Sequence, residues 1–195
     1  MLSQIRPAIV ATLFFTAVLG VGYPLLITGI GGLAFPTQAG GSLIRDAQGQ
    51  VIGSALLGQT FAKPQYLHPR PSAAGAGGYD ASASSGSNLG PLNPALSERV
   101  AKDTATLQPE GPGLVPADAV TTSASGLDPD VSPANAARQA SRIAASRGVS
   151  ARAVQKVIDA NTTGPWLGVF GQARVNVLKT NIALDAAWPQ AHPGG

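Results

Sequence analysis

The sequence predicts an α+β protein with a single N-terminal transmembrane helix, followed by one small mixed α/β extracytoplasmic domain. The first observation is an uncharged apolar run near the N terminus that is long enough to cross a bilayer. The second is a set of helix-capping signals further along the chain, flanked by short segments that alternate between apolar and polar residues. Short strands and helices mixed in one chain are typical of a small layered domain.

The apolar run defines the transmembrane helix, which we place at residues 7–35. No Lys, Arg, Asp or Glu occurs between residues 7 and 44, and about 20 apolar helical residues cross the hydrocarbon core. Backbone groups in lipid must pair within the segment, so a single span is helical. The alternative is a cleavable signal peptide, since the small residues 37–39 resemble a cleavage site. We favour a retained anchor because a signal's apolar region is only about 7–15 residues long.

The flank of this helix predicts its orientation. Residues 1–6 carry Arg6 and the terminal amine, and positive flanks stay in the cytoplasm while long downstream domains cross the membrane. We therefore expect a cytoplasmic N terminus, an extracytoplasmic domain at residues 36–188 and a loose tail at residues 189–195. The expected location is the cell inner (plasma) membrane, with a single pass.

Small side chains form one face of the predicted span. They recur every four residues, at Ala8, Thr12, Thr16 and Gly20. Faces of this kind allow another helix to approach closely in lipid, so we interpret this one as a helix-packing face. Pro24 lacks the N–H of a helical hydrogen bond, and we expect it to kink or end the helix.

The composition of the domain excludes a nucleic-acid-binding class. The chain has 13 basic and 10 acidic residues, and no block of Lys or Arg. It has no cysteine, 24 glycines and 16 prolines, which indicates a loop-rich domain without disulfides. Residues 72–90 are almost all Gly, Ala, Ser and Asn, and we predict a long irregular loop there.

Local signals place the elements of the domain. Apolar runs at 42–45 and 51–57 predict a hairpin, because Asp46 and Gly49 lie between them. Three N-cap residues predict helices that end near Thr106, Arg147 and Asn161: these caps are Asn93, Ser132 and Ser150. In the second helix, Arg138 and Arg142 share a face, and Arg142 and Arg147 suit its negative C-terminal end. Alternation at 174–178 predicts a strand, and 181–188 fits either a strand or a helix.

Catalytic and metal-binding patterns are sparse in this sequence. His68 and His192 are far apart, no Gly-x-Ser-x-Gly elbow frames a serine, and no phosphate-binding loop motif occurs. Residues 115–133 are rich in hydroxyls and carboxylates, which are ligands for hard cations. We interpret them as turn and cap residues, because Asp, Ser and Gly stabilise such bends without a ligand. We therefore predict no catalytic residue and no metal ligand.

Motifs along nearly the whole chain nevertheless resemble a known family. Matching stretches include 53–54, 57–61, 70–72, 87–91, 93–94, 122–129, 132–133, 142–144, 147–148 and 174–178. The chain is similar in these stretches to the C subunit of the Kdp potassium-transporting ATPase. It departs at Asp130-Val131, where the family more often has His-Ile. The motif positions, to which we assign no role, are Gln59, Phe61, Tyr66, Arg70, Pro71, Ser87, Asn88, Ser123, Ser125, Gly126, Asp128, Pro129, Gln139, Arg142, Arg147, Asn176 and Asn181.

The resemblance implies a non-catalytic subunit of an ATP-driven, high-affinity potassium import complex. Its partners would be the channel-like A subunit, the P-type ATPase B subunit and the small F subunit, together with the lipid bilayer. Catalysis would lie in the B subunit, and this chain would act as a catalytic chaperone that raises the B subunit's affinity for ATP. ATP would reach this chain only through the B subunit, because an extracytoplasmic domain does not meet cytosolic ATP. Potassium would be the transported ion.

Two other function classes remain open from the residues alone. One is a membrane-anchored extracytoplasmic hydrolase that uses His68. The other is a cation- or solute-binding module.

Overall fold

The computed structural model describes residues 2–46 and 48–189. The chain divides between Ile52 and Gly53 into two compact units. The first unit contains the apolar helix. The second unit, called here the body, is a small mixed α/β structure, so the predicted fold class is confirmed.

The N-terminal unit contains one long apolar helix in three parts. The helix runs for 30 residues, from Ile5 to Ala34, and an 18-residue stretch of it has a mean hydropathy of 2.0. Among the described residues, it is the one helix that is long and apolar enough to cross a membrane. None of this 18-residue stretch is buried inside the structure. The parts are α1 (Ile5–Phe15), a π-helical segment (Thr16–Gly22) and α2 (Tyr23–Ala34).

The π-helical segment lies directly before Pro24. The Tyr23 N–H donates to the Val18 carbonyl, five residues earlier, instead of the four of an α-helix. The helix then continues through Pro24 to Ala34, so of the two outcomes predicted for Pro24, a kink or an end of the helix, the end is wrong. Pro24 has no N–H to donate within this continuous helix, and a local π-helical turn is one of the adjustments by which apolar helices tolerate a proline.

A short helix and a β-hairpin follow the span. They are α3 (Pro36–Ala39), β1 (Leu43–Arg45) and β2 (Val51–Ser54), and the two strands pair with each other. The Asp46 carboxylate accepts hydrogen bonds from the N–H groups of Gln48 and Gln50, which closes the turn. The predicted hairpin is confirmed, although its second strand ends at Ser54 and not at residue 57.

The body is built from helices around a three-stranded antiparallel sheet, in which β5 (Arg174–Asn176) lies between β3 (Asp130–Val131) and β4 (Thr162–Thr163). Val175 in the central strand pairs with Val131 on one side and Thr162 on the other. The helices are α4 (Pro94–Leu107), α5 (Ala117–Val120), α6 (Pro133–Arg147), α7 (Ala151–Ala160) and α8 (Val177–Ala187), and the strands are β3 (Asp130–Val131), β4 (Thr162–Thr163) and β5 (Arg174–Asn176).

The predicted helix caps are confirmed by their hydrogen bonds. The side chains of Asn93, Ser132 and Ser150 accept from the N–H groups of Ala95, Asn135 and Ala153. At the other end of α6, Gly148 has φ +67°, the left-handed conformation that favours glycine after a helix. The boundaries of α4, α6 and α7 therefore lie within one residue of those that the sequence predicts.

The predicted strand at 174–178 is only partly correct. It ends at Asn176, whose side chain accepts from the Lys179 N–H and so begins α8. Val177 and Leu178 are helical, and both are buried together with Leu184. Residues 181–187, for which the sequence left both possibilities open, are therefore helical.

The core of the body lies between α6, α7, α8 and the sheet. Small side chains of α6 allow close packing, and α7 contributes Val154 and Ile158. Phe61 and Trp188 pack against this cluster from its edge. The core residues are Leu67, Val131, Ala136, Ala140, Ile143, Ala144, Val154, Ile158, Val175, Val177 and Leu184.

Candidate functional site

The main polar site of the body surrounds an irregular stretch, residues 64–72, which we call the clamped segment. Its backbone forms hydrogen bonds with side chains of α6 and α8 instead of a neighbouring strand. Asn181 accepts from the Leu67 N–H at 2.7 Å and donates to the Leu67 carbonyl at 3.0 Å. Gln139 binds His68 in the same way, at 2.8 and 3.2 Å. Two carboxamides therefore replace the hydrogen bonds that a paired strand would make.

Arginines of α6 hold the start of the clamped segment. Arg142 donates to the carbonyls of Pro64 at 2.7 Å and Tyr66 at 3.1 Å. Arg147, whose side chain is fully buried, donates to the Gln65 carbonyl at 2.8 Å and forms an ion pair with Asp185 at 2.7 Å. Its remaining hydrogen bonds go to the carbonyls of Leu184 and Trp188 at the end of α8.

Arg138 binds a different loop. Its guanidinium donates to the carbonyl of Leu107, the last residue of α4, and to those of Gln108, Pro112 and Gly113, which follow α4. The sequence placed these arginines on α6 but did not predict that each binds backbone carbonyls of a distant segment. In the structure, all three guanidinium groups stabilise the body from within.

Gln139 connects the arginines to the N terminus of α6. Its Oε1 accepts from Arg142 at 2.6 Å, and its Nε2 donates to Asn135 at 3.1 Å. Asn135 in turn donates to Asp118, which also accepts from the N–H and hydroxyl of Ser132. Asp118 therefore fixes the first turn of α6 together with the Ser132 cap.

Arg70 holds the other end of the clamped segment. It forms an ion pair with Asp128 at 2.7 Å and also contacts the carbonyls of Thr121 and Thr122. The Tyr79 hydroxyl donates to the Arg70 carbonyl at 2.5 Å. Burial, and then the charge of Asp128, raise the pKa of Tyr79 to about 12, so this hydroxyl stays a donor over the physiological range.

Side-chain and backbone hydrogen bonds fold the long loop at 72–90. The Ser72 hydroxyl donates to the Gly126 carbonyl at 2.6 Å and accepts from the N–H groups of Ala74 and Tyr79. Ser85 donates its N–H to the Ser125 carbonyl. Gly126 has φ +66°, and a Cβ there would lie 2.5 Å from the Ser85 carbonyl oxygen. The loop is irregular, as predicted, and it is closely packed on residues 123–126.

A cleft of about 640 Å³ lies beside the clamped segment. Its lining includes His68, Arg70, Tyr79, Glu110 and Gln139, together with glycines of the long loop. Burial lowers the pKa of His68, and the nearby Arg142 charge lowers it further. The ring Nε2 of His68 lies 3.0 Å from the Lys63 carbonyl and 3.3 Å from Arg142, so the neutral ring has a partner in either tautomer.

A second cleft, of about 420 Å³, is lined by Asp118, Asp128 and Asp130. Each carboxylate has a partner within the body. Asp130 forms an ion pair with Arg174 at 3.1 Å and accepts from Asn176 at 3.0 Å. Burial raises the pKa of Asp130, and the Asn176 hydrogen bond opposes that change. These contacts support the interpretation of 115–133 as turn and cap chemistry.

The described residues do not bring together the side chains that a hydrolase or a metal-binding site would need. His68 contacts Lys63 and Arg142, and within the part of the chain that the structure describes no hydrogen bond joins its ring to a serine or a carboxylate. Within the same part of the chain, no group of three His, Asp or Glu side chains could hold a metal ion. His192 lies outside the described residues.

The motif positions fall into groups. The first group either belongs to the clamped segment or binds it: Tyr66, Arg70, Gln139, Arg142, Arg147 and Asn181. A second group supports the neighbouring loops: Ser125 and Gly126 bind the long loop, the Pro129 carbonyl accepts from the Val177 N–H, and Asn176 caps α8.

The remaining motif positions are more dispersed. Pro71 and Phe61 line the first cleft, and the Phe61 ring packs edge-on against Tyr66. Ser123 contacts the Ser125 hydroxyl at 3.3 Å, and Gln59 lies against Gly53. Asn88 is exposed with φ +53°, and Ser87 precedes it at the edge of the long loop.

Sequence reasoning assigned no role to four residues of this network: Ser72, which lies in the matching stretch 70–72, and Tyr79, Asn135 and Asp185. Tyr79 had one available signal, because it is the only aromatic residue in a stretch of Gly, Ala, Ser and Asn. The other three have no local pattern that would distinguish them from ordinary surface polar residues.

Residues 5–186 match a family model described as KdpC, the c chain of the K⁺-transporting ATPase. The chain belongs to the KdpC family. It is 62% identical over 190 residues to the potassium-transporting ATPase KdpC subunit of Caulobacter vibrioides (strain NA1000 / CB15N), a match that covers 97% of this chain and 96% of that protein. It is 52% identical over 196 residues to the KdpC subunit of Beijerinckia indica subsp. indica, with 99% and 98% covered.

Family membership makes the chain an accessory, membrane-associated subunit of a potassium-transporting ATPase. The apolar helix is its candidate transmembrane span. The predicted resemblance to the KdpC family is thereby confirmed.

Proposed function

We propose that the chain is a non-catalytic subunit that assembles and stabilises the Kdp potassium import complex. Its partners are the A, B and F subunits, and its body lies on the extracytoplasmic side of the membrane. It acts as a catalytic chaperone that raises the affinity of the B subunit for ATP, and the B subunit carries out ATP hydrolysis.

The internal use of the body's polar side chains supports this proposal. Arg70, Arg138, Arg142 and Arg147 all bind backbone carbonyls of the body, and Asp118 and Asp128 bind groups within it. These side chains already have hydrogen-bond partners within the folded body. A body whose polar side chains stabilise its own fold, carried on a membrane anchor, is suited to binding neighbouring subunits.

The distribution of charge supports the proposed orientation. Arg6 lies in the first turn of the apolar helix, beside the N terminus, and the remaining charged residues follow residue 44. A basic N-terminal flank stays in the cytoplasm. In this topology the body does not meet cytosolic ATP, so its effect on ATP affinity is transmitted by contacts with the other subunits, including contacts of the span.

The decisive experiment is affinity purification of the tagged full chain from membranes, followed by identification of the proteins that accompany it. We expect the A, B and F subunits. ATP hydrolysis by the complex, measured with and without this chain over a range of ATP concentrations, tests the chaperone role. Unchanged ATP dependence would contradict that role, and a protein recovered without any of the three partners would contradict the assembly role.

The first cleft favours a second candidate function, a cation- or solute-binding module. Its volume of about 640 Å³ is in the range of small-molecule sites. Isothermal titration of the full chain in detergent with potassium and with ATP tests this alternative. If neither potassium nor ATP produces a heat of binding, this alternative function is excluded.

A further inference from the structure

The body exposes a compact group of large apolar side chains on the loop between β4 and β5. We call residues 164–171 the apolar tip. Four neighbouring side chains are involved, with exposed fractions of 69%, 70%, 77% and 64%: Trp166, Leu167, Val169 and Phe170. Single exposed apolar residues are ordinary on a protein surface, but a contiguous exposed group marks an interaction site.

The tip has a defined conformation. Trp166 and Phe170 exchange two backbone hydrogen bonds, of 2.8 and 2.9 Å, and their ring centroids lie 5.7 Å apart. Leu167 and Gly168 turn the chain with φ values of +51° and +76°. At the base of the loop, Thr163 pairs with Arg174 in the sheet. The apolar side chains are therefore presented on a preformed hairpin, which lowers the entropy lost when a partner binds.

The tip is chemically suited to a desolvated interface. Burial of large apolar side chains is favourable, and these side chains lack that stabilisation while they are exposed in the isolated chain. Tryptophan and phenylalanine are enriched at the centres of protein interfaces, and tryptophan is frequent among the residues that dominate binding. The tip contains no hydrogen-bonding side chain except the Trp166 indole N–H.

Charge favours a protein partner over a lipid surface. Elements that bind lipid headgroups use basic residues beside their apolar face. Residues 164–173 contain no charged side chain. The adjacent Arg174 forms an ion pair with Asp130, which offsets its charge. A fixed hairpin without free basic residues matches a shaped, uncharged recess better than an anionic bilayer.

We infer that the apolar tip docks into an uncharged apolar recess on a neighbouring subunit of the same ATPase, with Trp166 and Phe170 as its anchors. This inference rests on the proposed function, because it requires that the chain assembles with other subunits. It adds the surface of this chain that makes the contact.

Thiol labelling of the full chain tests this inference. The chain has no cysteine, so Val169→Cys creates a unique labelling site on the tip. Leu92→Cys is a matched control, because Leu92 is 94% exposed on another part of the body. Labelling rates with a water-soluble maleimide are compared between the chain alone in lipid nanodiscs and the chain in the purified complex.

We expect Val169→Cys to label rapidly in the chain alone and at least tenfold more slowly in the complex, relative to Leu92→Cys. Equal relative rates in the two samples would overturn the inference. Slow labelling in the chain alone would also overturn it, because lipid or a second copy would then cover the tip. If the wild-type chain does not assemble with other subunits, the proposed function itself fails.

A second measurement uses affinity. The Trp166→Ala/Phe170→Ala variant of the full chain is expected to lose about tenfold or more in affinity for the rest of the complex. The Leu92→Ala variant is expected to bind as the wild type does. The melting temperature of each variant shows that its body is folded. A folded tip variant that binds with unchanged affinity would overturn the inference.

Discussion

The carboxamide of Asn181 forms two hydrogen bonds with the backbone of Leu67, accepting from its N–H at 2.7 Å and donating to its carbonyl at 3.0 Å. Asn181 and Leu67 are both buried. The pair joins α8 to the clamped segment across 114 residues of sequence. It therefore fixes the position of a segment that has no strand partner of its own.

Replacing Asn181 by Leu is expected to destabilise the body by about 2–4 kcal/mol, because two buried backbone groups lose their partners. In thermal unfolding of the full chain in detergent, this corresponds to a decrease in melting temperature of about 5–15 °C. Lys179→Ala, an exposed substitution on the same helix, is the control. Equal melting temperatures for the two variants would contradict the role of this pair.

Gly126→Ala is expected to loosen the long loop at 72–90. The new Cβ would lie 2.5 Å from the Ser85 carbonyl oxygen and 2.7 Å from the Ala74 nitrogen. Gly148→Ala is the matched control, since its φ of +67° is nearly the same but nothing lies within 4 Å of the new Cβ.

The left-handed conformation alone costs about 1–2 kcal/mol in both variants. We expect Gly126→Ala to lower the melting temperature further and to speed proteolysis within residues 72–90. The close packing of this loop would be refuted if the two variants melted and were cleaved alike.

Stability is expected to depend on pH through His68. Its pKa is lowered from 6.5 in the folded protein by burial and by the Arg142 charge. The unfolded chain therefore binds a proton more readily than the folded one, and stability falls as the pH decreases below about 6.5. Above that pH the contribution of His68 is fully present.

Melting temperatures of the full chain at pH 5.5 and 7.5 measure this effect. His68→Gln is expected to reduce the difference between the two values, because it removes the titrating ring. His192→Gln changes the only other histidine and shows how much of the difference belongs to that residue. A wild-type difference that survives intact in His68→Gln would contradict this assignment.

Gly20→Leu is expected to weaken assembly through the span. A Cβ at Gly20 would lie 3.7 Å from the Thr16 methyl group, so these two residues are neighbours on the predicted helix-packing face. A larger side chain there would hold a partner helix away. Gly29→Leu is the control, because it adds the same side chain elsewhere on the helix, where nothing lies within 4 Å.

Co-purification with the other subunits in mild detergent measures this effect. We expect recovery of the complex to fall several-fold for Gly20→Leu, and less for Gly29→Leu. The packing-face hypothesis would be abandoned if both variants were recovered with the complex as well as the wild type is.

The elements that the sequence predicted correctly are those with short-range causes. The Ser132 cap and the Gly148 stop define α6 because each acts within one turn of the helix. Residues 174–178 show the limit of such reasoning. Their alternation indicates a strand, but Asn176 caps a helix, and burial of Val177 and Leu178 in the core stabilises that helix.

The candidate site was predictable only in part. Arg138, Arg142 and Arg147 could be placed on one helix from the sequence, but the carbonyls that they bind lie between 24 and 82 residues away along the chain. Tyr79 and Asp185 acquire their roles only when distant segments meet. No local pattern encodes such contacts.

The sequence by itself determined the apolar span, the helix caps, the family and the absence of common catalytic motifs, because each depends on composition or on neighbours along the chain. Only the tertiary structure decided how the clamped segment is held, how the long loop folds on residues 123–126, and that Trp166 and Phe170 are presented together at the surface. The physical reason is that these features depend on hydrogen bonds and packing between residues far apart in the chain, which form only when the whole body folds.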